Sequence, residues 1–300
     1  MRKVICCALL VIATRFVQSA DKRPKITGID HVDFYTTSPE ENEQFYVRTL
    51  SLASVLPLEP GQTQRFVVGD QFVGYSPAPD ARARNRMDHV AFNTDNAAAL
   101  RAYLIAKGTE VTDGYEMLST HSRTFQVKDP EGHTIEFVQR ANSTSGSRVE
   151  NSNPVSRHMI HVGFIVHDRD AEDHFYRDVL GFHLYWQGGM QADKTDWVAM
   201  QVPYGTDWLE YMLNVEPNAD QQTMGVMNHV SLGVKDIKQT QAKLEKHDWK
   251  PHGDEKAQMG RDGKWQLNLY DPDFTRIELM EFKPVQKPCC SEFQGKHPSD

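Results

Sequence analysis

The stretch MNHVSLGV, residues 227–234, places His229 at the head of a run whose alternate positions Val230, Leu232 and Val234 are aliphatic. LYDPDFTRIELME, residues 269–281, closes the same segment with Glu278, 49 positions after that histidine. The spacing recurs upstream, where MIHVGFIV (159–166) carries His161, DWLEYMLN (207–214) carries Glu210, and the two are again 49 apart. Alternation with a period of two is the mark of a strand, in which successive side chains point to opposite faces. Each His or Glu therefore shares one face of its strand, and the bulky aliphatic residues take the other.

Comparison of the chain with itself extends the pattern. DHVDFYTTSPEENEQFYVRTLSL (30–52) and IHVGFIVHDRDAEDHFYRDVLGF (160–182) both run from a His-led strand into an acidic helix bearing Phe-Tyr and then a Leu before a turn. MDHVAFNT (87–94) and MNHVSLGV restart the strand within each half and are followed by the helical stretches DNAAALRAYLIAKG and DIKQTQAKLEKHDW. Short runs rich in aromatic and β-branched residues, such as QRFVVGD, DWVAMQV and TIEFVQR, follow the helices and read as strands. The expected fold is α+β: two tandem domains, each a pair of β-α-β-β-β modules. Ser38, Pro39 and Glu41 stand in capping-box order at the first helix start.

Domain one is expected at 25–141 and domain two at 157–284. The Ser- and Asn-rich segment 142–156 has linker chemistry, and a polar tail occupies 285–300. Residues 1–20 read as a secretory signal: a basic MRK start, the apolar run VICCALLVIAT, and VQSA ending in small residues suited to cleavage after Ala20. The apolar run is too short for a bilayer core, which takes roughly 20 residues, so no stable membrane insertion is expected after cleavage. The expected location is secreted or periplasmic. Cys6 and Cys7 would leave with the signal, and the adjacent Cys289 and Cys290 sit in a tail expected to be peripheral.

The chain has 300 residues, 39% hydrophobic and 25% charged, with a formal net charge of -8. That composition is globular, and neither the charge nor any basic run suits nucleic acid. A small-molecule partner is expected, acting on a monomer or homodimer.

The same parity holds in all four His-led strands: His31 shares a face with Asp33 and Tyr35, His89 with Ala91 and Asn93, His161 with Gly163 and Ile165, and His229 with Ser231 and Gly233. Glu136, Glu210 and Glu278 fall opposite aliphatic or aromatic neighbours, so every His and Glu of interest faces one surface. Carboxylates are costly to bury unless paired or bound to a metal. His161, Glu210, His229 and Glu278 are thus the expected ligands of a divalent ion in domain two, with His31, His89 and Glu136 as a sparser set in domain one. Imidazole with carboxylate suits zinc, iron(II), manganese, nickel or cobalt. Alignment of FVGYSP with WLEYML sets Gly74 where domain two has Glu210, leaving domain one with three ligands.

The paired modules, the leading histidines and the repeated DP-x-[GF]-x-x-[IL]E ending resemble the vicinal oxygen chelate superfamily, which includes glyoxalase I, extradiol ring-cleaving dioxygenases, methylmalonyl-CoA epimerase and the fosfomycin- and bleomycin-resistance proteins. The resemblance covers residues 25–284. It implies a U-shaped sheet around a metal to which two neighbouring substrate oxygens bind. The His, Glu, His, Glu order of domain two resembles glyoxalase, which implies a lyase or isomerase with Glu210 or Glu278 as catalytic base. A catechol dioxygenase is the alternative; it needs two His and one carboxylate, but the family's His and Tyr ahead of the DP are missing, since Tyr270 abuts Asp271 directly. A resistance-type binder without catalysis is the second alternative.

Overall fold

A computed structural model of the chain describes residues 22–55, 63–117, 122–141, 153–247, 249–251 and 256–300. The expected signal, Cys6 and Cys7, and most of the linker lie outside these residues. Domain one opens with β1 (Ile26–Thr36), the short helix α1 (Pro39–Gln44) continuing into a π-helical turn over Phe45–Thr49, then β2 (Ala53–Val55), β3 (Gln64–Val68) and β4 (Gln71–Pro77). Its second module is β5 (Met87–Thr94), α2 (Ala97–Ala106), β6 (Tyr115–Met117), β7 (Ser122–Lys128) and β8 (Thr134–Gln139). Domain two repeats this with β9 (Met159–Ile165), α3 (Arg169–Asp173) with its π-helical turn His174–Val179, β10 (His183–Gly188), β11 (Trp197–Gln201) and β12 (Trp208–Met212). After an additional helix α4 (Gln221–Met227) come β13 (His229–Val234), α5 (Ile237–Lys246), β14 (Gln258–Met259), β15 (Trp265–Tyr270) and β16 (Arg276–Glu281).

Each domain is one eight-stranded mixed sheet, ordered β2-β3-β4-β1-β5-β8-β7-β6 and β10-β11-β12-β9-β13-β16-β15-β14. The two leading strands of a domain pair antiparallel at its centre, and each pairs in parallel with the last strand of its own module. This topology gathers the four strands bearing His and Glu side by side. Opposite them, Val162, Phe164, Val230, Leu232, Ile277 and Leu279 are fully buried under the helices, each such side chain contributing about 1.5–3 kcal/mol by its burial. A register shift at Asp30 in β1, and another at Ile160 in β9, sets an extra residue just ahead of each leading histidine.

The Asp-Pro loops lock the domains together. Asp271 Oδ2 accepts from Tyr75 of domain one at 2.5 Å, and Asp273 accepts from the hydroxyls of Thr36 and Thr37 at 2.6 Å each. Reciprocally, Glu131 accepts from the backbone of His167 and Asp168, and Asp129 from Tyr176. This exchange replaces the expected capping box. Ser38 makes no side-chain cap; its backbone N–H bonds Thr36 Oγ1, which is itself tied to Asp273. The longer helices are capped ordinarily, α2 by Asn96 and α5 by Asp236.

The tail is docked rather than peripheral. Cys289 and Cys290 form a disulfide, Trp186 donates to Cys289 O, Tyr185 bonds His297, and Phe293 packs on Tyr185 with ring centroids 4.8 Å apart. The tail supplies aromatic surface to domain two that composition alone does not assign to any partner.

Candidate metal centres and their relatives

In domain two the central strands bring four side chains to one point. His161 Nε2 and His229 Nε2 lie 3.0 Å apart, with the rings at 86°. Glu278 Oε2 is 3.2 Å from His161 Nε2, and Glu210 Oε2 is 3.4 Å from His229 and 3.7 Å from His161. Both histidines are fully buried, whereas the Glu210 side chain keeps 13% of its exposure. A Cβ at Gly163 would fall 2.1 Å from His229 Cε1, so glycine there makes room for the imidazole.

Charges in this pocket perturb one another. Burial alone would raise both carboxylates, but His161 and His229 hold Glu210 below its usual range, and His161, Arg276 and His229 do the same for Glu278. Burial, with Arg276 beside it, lowers His229. Lys264 is fully buried, with Nζ 4.5 Å from the Trp208 ring, and Trp208 stacks on His161 at 4.7 Å. Burial lowers Lys264 against the pull of Asp262, Glu278 and Glu210.

The donor set fits a cation. The two imidazole Nε2 atoms face each other 3.0 Å apart, and the buried Glu278 Oε2 beside them has no hydrogen-bond partner. The donor atoms of His161, His229 and Glu278 all fall within 4.8 Å of one another. Glu210 stands just outside that grouping.

Domain one repeats the histidine pair: His31 Nε2 and His89 Nε2 are 3.0 Å apart, again at 86°. Glu136 Oε2 is 3.3 Å from His89 Nε2. The structure adds a carboxylate that the alignment left out, Asp33, whose Oδ2 is 3.8 Å from His89 Nε2 and which groups with the two histidines. Burial opposes the charged form of His89, yet the bond from Asp88 and the charges of Asp33 and Glu136 raise it above its usual value. Asp33 lies on the His31 face, as strand parity places it, but on the first strand of its module, whereas Glu136, Glu210 and Glu278 stand on the last. A third grouping, Asp129, His133 and Glu172, lies at the interdomain joint. There burial and the charge of Asp129 push Glu172 up to about 9.

The fold and the paired sites define a class, and the sequence agrees: the family model Glyoxalase/Bleomycin resistance protein/Dioxygenase superfamily matches residues 28–137 and 158–279. The chain belongs to that superfamily. Among solved structures it is similar to the 2,3-dioxygenase LapB from Pseudomonas sp. KL28, with TM-score 0.66 and 16% identity over 93% of this chain and 96% of that one. It is also similar to homoprotocatechuate 2,3-dioxygenase from Brevibacterium fuscum in complex with 3,4-dihydroxyphenylacetate, with TM-score 0.63 and 17% identity over 90% and 83%. The Arthrobacter globiformis homoprotocatechuate 2,3-dioxygenase gives TM-score 0.63 and 18% identity over 86% and 80%. At these identities the likeness is one of fold. No curated protein sequence matches.

Proposed function

We propose that the chain is a metal-dependent enzyme in which His161, Glu210, His229 and Glu278 hold one divalent cation, and that it acts on a small substrate with two neighbouring oxygens. The observation that supports this most is the convergence of two imidazoles and two carboxylates in a pocket where Glu278 Oε2 has no other partner. When bound, the cation supplies positive charge to two chelating oxygens. Arg276 adds positive charge near Glu278, and the buried Lys264 lies close to both carboxylates, which suits a substrate whose oxygens become anionic. The Trp208 ring, stacked on His161, walls the pocket and excludes water.

The chemistry favoured is proton transfer, as in a glyoxalase-like lyase or isomerase. Glu278 Oε2 lies 3.2 Å from His161 Nε2 and is nearly buried, whereas Glu210 is more exposed and stands farther from His161. Glu210 Oε2 is thus the group to take a proton from carbon next to a carbonyl and return it, a role typically contributing 10²–10⁴-fold. Glu210→Gln should then lose turnover by about that factor while retaining more metal than Glu278→Gln.

A second reading rests on the tight grouping of His161, His229 and Glu278, a two-histidine, one-carboxylate set that suits iron(II) and oxygen. The reconstituted enzyme, offered 2-oxoaldehyde thiol adducts and catechols in an oxygen electrode, separates the two. Oxygen uptake with a catechol selects the dioxygenase and ends the proton-transfer reading. The chain is further proposed to be exported and cleaved after Ala20; an exported form that retains Met1 on N-terminal sequencing would overturn that.

A further inference from the structure

We infer that domain one is a second metal centre, complete in itself, in which Asp33 replaces the carboxylate missing at Gly74 and joins His31, His89 and Glu136 around a divalent transition-metal ion. The inference is independent of the chemistry proposed for domain two and uses none of its residues.

The argument begins with one pair of neighbouring positions. In domain two, Glu210 on β12 lies opposite Gly163 on β9; in domain one, Gly74 on β4 lies opposite Asp33 on β1. The carboxylate and the glycine have changed strands across the same parallel pair. Gly74 is required by its opposite, since a Cβ there would fall 2.1 Å from Asp33 Oδ1, while Gly163 is required by His229. The exchange keeps one carboxylate at this level of the sheet, and Asp33 reaches the site from the strand that already carries His31. An aspartate suffices there because β1 is the central strand and His89 is its direct cross-strand neighbour.

The surroundings support ligation more fully than in domain two. A metal-bound imidazole needs its far nitrogen held, and carboxylates do this best. His31 Nδ1 lies 2.8 Å from Asp30 Oδ1, with Arg140 on the other oxygen of Asp30 at 2.5 Å. His89 Nδ1 lies 3.0 Å from Asp88 Oδ2, and the other oxygen of Asp88 accepts from Tyr35. Both Nε2 atoms are thereby turned inward. Asp33 and Glu136 are 2% and 3% exposed, and Asp33 Oδ1 has no hydrogen-bond partner. Arg65 lies 3.9 Å from Asp33 Oδ2, beyond hydrogen-bond reach. Two buried carboxylates and two facing imidazoles match a divalent ion in charge and in donor type.

Cobalt(II) titrated into full-length His161→Ala/His229→Ala protein tests the inference, because the domain-two site is disabled in every arm. One equivalent should bind, with visible d–d absorption. Asp33→Asn on that background preserves size and should weaken binding at least about 10-fold. Asp33→Gly should do the same, and adding Gly74→Glu should restore affinity by returning the carboxylate to the position it holds in domain two. Restored binding cannot come from misfolding. No cobalt bound to the His161→Ala/His229→Ala protein, undiminished affinity in Asp33→Asn, or a swap variant no better than Asp33→Gly would each overturn the inference.

Discussion

In domain one the ring centroids of His31 and His89 lie 5.1 Å apart at 86°, and in domain two those of His161 and His229 have the same separation and angle. Their surroundings diverge. The extra residue ahead of the leading histidine is Asp30 in one domain, bonded to His31, and Ile160 in the other, leaving His161 Nδ1 with no hydrogen-bond partner. Asp88 holds His89, whereas the backbone carbonyl of Met227 holds His229. Domain one surrounds its imidazoles with acids; domain two brings Lys264 and Arg276 close to its carboxylates. Duplication therefore preserved the strand geometry that sets the imidazole pair, while the neighbouring residues, which that geometry does not constrain, specialised.

The comparison is most easily broken by metal content. Elemental analysis after reconstitution should find two equivalents in the wild type, one in His161→Ala/His229→Ala, one in His31→Ala/His89→Ala and none in the fourfold variant, each lost ligand costing about 100-fold or more in affinity. Loss of both equivalents in either double variant would show that the domains are not independent. Chelation should lower the melting temperature of the wild type, since saturation at 100-fold over Kd stabilises by about 2.7 kcal/mol.

A smaller effect sharpens the contrast in support. Asp30→Asn and Asp88→Asn should each weaken metal binding about 10- to 100-fold in domain one and leave domain two unchanged. Isothermal titration on the two double-variant backgrounds resolves this, and equal loss in both domains would contradict the assignment.

The interdomain joint gives a pH signature. Glu172 is fully buried, and its folded value of about 9 lies above the 4.5 of the unfolded chain, so the native state holds the extra proton. Stability from this group is present below about 4.5 and is lost as pH rises toward 9, at up to ~1.4 kcal/mol per pH unit. Glu172→Gln should flatten the fall in melting temperature over that window. An unchanged slope would show that Glu172 is ionised in the folded protein.

The smallest effect concerns His158, three residues before His161. It bonds Asp207 and Ser299 O, and Asp207 in turn accepts from Ile29 in domain one. His158→Ala should leave metal content unchanged and cost about 1–3 kcal/mol in denaturant unfolding by leaving Asp207 short of a partner. Loss of metal in this variant would mean that the strand faces have been assigned wrongly.

Periodicity and internal repetition determined much from sequence alone. Alternation in MNHVSLGV and its three counterparts assigned the faces of His31, His89, His161 and His229, and the repeated Asp-Pro ending located Glu136 and Glu278, because strand parity is a local property of the backbone. Asp33 was on the correct face in that reading and was missed as a fourth donor, since alignment compares positions along the chain, while the exchange with Gly74 runs across a strand pair. Asp30 and Asp88 were hidden by the register shifts beside them, which no count of two anticipates. The tail looked peripheral because its partners, Tyr185 and Trp186, lie more than a hundred residues away. Ser38 appeared to be a cap until Asp273, from the other domain, claimed the residues around it. Local pattern fixes which way a side chain points; which groups meet there depends on contacts between distant segments, and those are decided only when the sheets pair and the domains dock.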